Sequence, residues 1–128
     1  MKNEIKEIAL MVGTQGDGYT DNVITFEGDK VLRTSDNFMQ HKYYSGELKL
    51  KKEDFLNEFN KIVVEEWNDS YIIFKNIDGY SWELNVFYKD GEKTIKKGSN
   101  DYPENFDELI NLLEIDFVID SLDQNQED

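Results

Sequence analysis

Apolar and polar residues alternate over Ile5–Val12, with Ile8, Leu10 and Val12 on one side of an extended chain and Ala9 and Met11 on the other. That two-residue period predicts a buried strand. Val23–Phe26 and Val31–Thr34 are two further extended runs, and Glu27-Gly28-Asp29-Lys30 between them reads as a hairpin turn. Residues 13–21 hold three glycines and read as a flexible loop; residues 35–42 read as a second loop. Tyr43–Leu50 is predicted as another strand. Over Lys51–Ile62 the period changes, with Phe55, Phe59 and Ile62 at i, i+4 and i+7. This is the spacing of one helix face.

The second half follows a similar plan. Tyr71–Ile77 is strand-like, Asp78-Gly79 is a turn, and Ser81–Tyr88 sets Trp82, Leu84, Val86 and Tyr88 on one face. Asp90-Gly91 turns the chain into Lys93–Lys97. After Tyr102-Pro103, Phe106, Leu109, Ile110 and Leu113 form one helical stripe that reaches toward Phe117. Asn105 or Asp101 is the expected N-cap. Phe26–Lys30 followed by Glu53–Leu56 parallels Tyr88–Glu92 followed by Asn105–Leu109, which points to a βββα unit used twice. The expected class is α+β, an antiparallel sheet with two helices packed on one face. Residues 1–120 are expected to form a single domain, followed by a frayed acidic tail over 121–128.

Seventeen aromatic residues in a chain of 128 separate this protein from disordered acidic chains, which lack core-forming side chains. There is no cysteine and one histidine, His41, which excludes disulfides, thiolate chemistry and zinc sites built on Cys or paired His. No apolar run has the length of a signal peptide or of a membrane span, about 18 residues. A cytoplasmic protein without cofactor or metal is the expectation.

Charge changes the picture most. The formal net charge is −14, and the second half carries nearly all of it. From residue 98 to 128 there are ten carboxylates and no Lys or Arg. Asp101, Glu104, Asp107, Glu108, Glu114, Asp116 and Asp120 fall mostly off the apolar stripe and are the candidate partner-binding residues. On a continuous helix the ten would be spaced by ~4.6 Å, somewhat wider than the ~3.4 Å between phosphates on one DNA strand. Such a surface attracts cationic partners. The same pattern also serves as a solubilising face.

Other chemistry finds less support. Direct nucleic-acid binding needs cations to displace counterions, and the basic clusters, Lys49–Lys52 and Lys93–Lys97, are small. Gly13-Thr14-Gln15-Gly16-Asp17-Gly18 lacks the Gly-Lys-Ser/Thr ending of a phosphate loop and leads into a strand. Asp17 and Asp21 do not match a calcium loop. His41 sits between Gln40 and Lys42 with no spaced nucleophile or carboxylate partner, and reads as a surface residue.

Asp78-Gly79-x-x-Trp82, Tyr88-x-Asp90-Gly91 and Gly98-x-Asn100-x-Tyr102-Pro103-x-Asn105-Phe106-x-x-Leu109 together form a recurring pattern over residues 71–113. It resembles that of small domains of unknown function from Gram-positive bacteria and their mobile elements. The resemblance implies a fold unit and brings no activity with it.

These observations point to a non-catalytic acidic inhibitor of the phage anti-defence (anti-CRISPR-like) or immunity-protein kind. Its partner would be a basic protein, a nuclease or nucleic-acid-guided effector, whose phosphate-binding groove it occupies. The alternative is an interaction or ligand-sequestering domain, oligomeric, that uses the open sheet face or the Gly13–Asp21 loop. A third reading is a small hydrolase built on a carboxylate pair, predicting metal-dependent stabilisation.

Overall fold

The computed structural model describes residues 4–72 and 80–115. The alternation around Ile8 becomes β1 (Ile5–Thr14), which folds back onto β2 (Gly18–Glu27) through Gln15, Gly16 and Asp17 alone. The expected 13–21 loop is therefore mostly strand, with Gly13 paired to Tyr19 and Thr14 to Gly18. Its glycines serve close approach: a Cβ on Gly13 would lie 2.2 Å from the Gly18 carbonyl oxygen, and Gly18 holds φ at +82°. β3 (Lys30–Asn37) and β4 (Lys42–Glu47) complete a four-stranded meander. The expected 35–42 loop contracts to 38–41, because Ser35, Asp36 and Asn37 pair with both neighbouring strands.

β4 stops at Glu47, short of the expected Leu50. Leu48 turns inward, and its N–H donates to the Val31 carbonyl at 2.8 Å. Lys52 then anchors its N–H on the Asp29 carbonyl at 2.7 Å and opens α1 (Lys52–Ile62). Glu53 and Asp54 in its first turn and Lys61 in its last complement the helix dipole. The helix ends at Val63, in the left-handed region at φ 54°. A β-branched residue is strained there, and the Val63 N–H bond to the Asn60 carbonyl helps hold it.

A short 3-10 turn at Val64–Glu66 leads to β5 (Ser70–Ile72), followed by β6 (Ser81–Tyr88), β7 (Lys93–Ser99) and α2 (Phe106–Leu112). Of the expected Tyr71–Ile77 strand, only Tyr71 and Ile72 lie among the described residues. The Asp78-Gly79 turn, Phe117 and the 121–128 tail lie outside them. The sheet order is β4-β3-β2-β1-β6-β7-β5, antiparallel except where β5 runs parallel to β7. The α+β class holds. No helix among the described residues is long and apolar enough to cross a membrane.

β1 joins the two halves of the sheet, with Ile8 opposite both Ile24 and Val86. α1 reaches the sheet through Phe55, whose ring meets Phe26 edge-on at 5.8 Å. α2 reaches it through Phe106, 4.9 Å from Trp82 between ring centroids. Trp67 and Tyr102 close an aromatic cluster around the Trp82–Phe106 pair. Each such contact adds about 1 kcal/mol beyond the area it buries. α2 is shorter than its sequence stripe, and neither expected cap forms. Asn105 occupies the N-cap position without a side-chain cap bond, and Asp101 Oδ1 accepts only the neighbouring Tyr102 N–H. The other end is closed from far away. Arg33 of β3 donates through Nη1 to the carbonyls of Leu113 and Glu114, supplying the cation that the last turn of α2 lacks.

Candidate functional site

The motif that ends in Tyr102-Pro103-x-Asn105-Phe106 folds into the seam between α2 and the rest of the molecule. Asn105 Oδ1 accepts the Trp67 indole N–H at 2.9 Å, and its Nδ2 donates to the Ile62 carbonyl, also at 2.9 Å. This one side chain ties the start of α2 to the end of α1 and to the 3-10 turn. Lys96 adds a second tie from below: its buried Nζ donates to the Trp67 carbonyl at 2.8 Å and pairs with Asp69 at 3.0 Å. Between the joined segments lies a groove of about 600 Å3, walled by Trp67, Tyr71, Pro103 and Asn105.

Four carboxylates rim that groove. Glu104 comes from the approach to α2, Asp107 and Glu108 from its first turn, and Glu66 from the 3-10 turn. All four residues are exposed, and no Lys or Arg among the described residues lines the groove. Asp107 and Glu108 occupy the first turn of α2, so they also stabilise the helix against its own dipole. Glu66 was not among the expected site residues; its adjacency to Trp67 in Glu65-Glu66-Trp67 was the signal available.

The remaining expected residues lie elsewhere. Asp101 is half-buried, and its backbone carbonyl accepts the Trp82 indole N–H at 2.9 Å. Glu114 closes α2 at φ 57°, and its carboxylate accepts the Lys49 backbone N–H at 2.7 Å. Asp116 and Asp120 lie outside the described residues. The geometry thus brings Glu104, Asp107 and Glu108 together and ties Asp101 and Glu114 into the fold.

His41 is exposed in the turn between β3 and β4 at φ 54°, where its N–H donates to the Phe38 carbonyl. Among the described residues no group of three or more His, Cys, Asp or Glu is arranged to hold a metal ion. No family model matches the chain, and neither a curated protein nor a solved structure does.

Proposed function

We propose that this chain is a non-catalytic cytoplasmic binding protein that inhibits a basic partner, a nuclease or nucleic-acid-guided effector, by occupying its phosphate-binding surface. One observation supports the reading above all: four exposed carboxylates converge on a groove that no cation among the described residues lines. Lys or Arg side chains of the partner would enter the groove and pair with Glu66, Glu104, Asp107 and Glu108. The Trp67 and Tyr71 walls would add apolar contact area along their stems. Asp116 and Asp120, outside the described residues, belong to the same proposed partner-binding set. Binding of this kind is fast, steered by charge and weakened by salt.

The expected architecture belongs to the same proposal. Both helices cover one sheet face, and the strand register that sets Phe26 and Trp82 on a common side supports this. The βββα repeat would make the acidic second half an elaborated copy of the first.

The test is capture from host lysate at low salt with the chain and with a variant carrying E66Q, E104Q, D107N and E108Q. The expected partner is basic, leaves at moderate salt and is displaced by DNA. It fails to bind the variant while the variant's melting temperature stays within a few degrees of the parent. A partner held equally by the variant, or held unchanged in high salt, overturns the mechanism.

A further inference from the structure

The face of the sheet that carries Leu10, Ile24 and Leu84 changes character at the β1–β2 hairpin end. Register places Asn22 opposite Leu10 and Ser35, and Thr20 opposite Val12 and Asn37. Four polar side chains therefore occupy positions that continue the apolar core rows. Inward polar groups are unfavourable in a closed core. Here they floor a cleft of about 500 Å3, within the usual range for small-molecule sites. The floor is already ordered. Ser35 Oγ donates to Asn22 Oδ1 at 2.6 Å, Asn22 Nδ2 donates to the Leu10 carbonyl, and Asn37 Nδ2 donates to Thr20 Oγ1 at 3.2 Å.

The cleft also reverses the charge of the molecule. Among the described residues, Arg33 and Lys42 line it against a single carboxylate, Asp17, in a chain whose net charge is −14. Arg33 makes no ion pair with a carboxylate among the described residues. Its guanidinium is instead held by the two carbonyls at the end of α2 and by the Tyr44 ring, 4.7 Å from Cζ to centroid. Those contacts fix the position of the cation without cancelling its full charge. Tyr43, Tyr44 and Tyr80 border the same cleft.

We propose that this cleft binds a nucleoside monophosphate, independently of the acidic groove. Lys42, opposite Asn37 at the hairpin end of the floor, takes the phosphate; Arg33, opposite Gly46, and the Tyr44 ring beside it mark the other end. A tyrosine ring takes the heterocycle by stacking, and the hydroxyl and amide floor of Thr20, Ser35 and Asn37 faces the sugar. Neither a free phosphate nor a free nucleoside uses all three parts.

Isothermal titration of the full chain with AMP, GMP, CMP and UMP tests this, with adenosine and inorganic phosphate as the partial ligands. At least one mononucleotide is expected to bind in the micromolar range, and both partial ligands at least tenfold more weakly. Lys42→Glu, at an exposed position that the fold does not need, should weaken the mononucleotide at least tenfold, and Tyr44→Ala should do the same. The E66Q/E104Q/D107N/E108Q variant should bind it unchanged, so this site and the groove fail or survive separately. No binding by any of the four at 1 mM overturns the proposal. So does affinity unaltered in Lys42→Glu, or inorganic phosphate binding as tightly as the nucleotide.

Discussion

Gly98 lies directly against the indole of Trp82: a Cβ on Gly98 would sit 2.4 Å from Nε1 and 2.8 Å from the Asp101 carbonyl oxygen that this nitrogen donates to. The two residues face each other across β6 and β7. Trp82 is 2% exposed and touches Trp67, Tyr71, Tyr102 and Phe106, so its seat organises the whole aromatic cluster. Gly98→Ala must move either the ring or the strand. A loss of about 2 kcal/mol is expected, read by urea denaturation followed through tryptophan fluorescence. An unchanged midpoint would mean that the indole does not occupy this seat.

Asn105 satisfies two buried backbone and side-chain partners at once. Asn105→Ala leaves the Trp67 N–H and the Ile62 carbonyl without it, and should destabilise by about 2 kcal/mol. Because the same side chain walls the acidic groove, partner affinity should fall as well. Chemical denaturation and binding of the captured partner separate the two effects.

Arg33→Met removes the cation at the end of α2 while keeping a side chain of similar length. The expected loss is about 2 kcal/mol, in the range of charge-assisted hydrogen bonds. Lys at this position should recover only part of it, since it lacks the planar fork and the stacking on Tyr44. Hydrogen exchange should localise the change to the last turn of α2. Uniform protection across the helix would contradict the assigned role.

Asp21 and Asp36 stand directly opposite each other on β2 and β3. Partial burial first, and the Asp36 charge second, raise the Asp21 carboxyl above its ordinary value of 3.8. A raised folded-state value means that the folded chain binds this proton more tightly than the unfolded chain does. The stabilisation is present below the ordinary value and is lost as pH rises through the raised one. Asp36→Asn should therefore stabilise the protein at pH 7 by about 0.5 kcal/mol, the scale of a cross-strand pair. The gain should vanish near pH 3. Thermal melts of both chains at the two pH values check the sign, and an equal gain at pH 3 would exclude a charge origin.

Much of this fold was legible along the chain. The two-residue period of Ile8, Leu10 and Val12, and of Trp82, Leu84 and Val86, marks strands because alternate side chains point to opposite faces. The Phe55–Phe59–Ile62 and Phe106–Ile110–Leu113 stripes mark helices for the corresponding helical reason. The acidic character of residues 104–108 was equally plain. What the tertiary structure decided was long-range. Glycines at 13 and 18 read as a loop because local propensity does not reveal that strand pairing brings two backbones too close for a Cβ. Asn105 read as a cap because no local signal reports Trp67, 38 residues away, as its partner. Glu66 joins Glu104, and Arg33, the only arginine, reaches Leu113 across 80 residues, only once the sheet and helices have packed. Periodicity is a property of neighbours in sequence and survives in one dimension. Hydrogen-bond partners and converging charges are set by burial and packing among distant segments, which exist only in the folded chain.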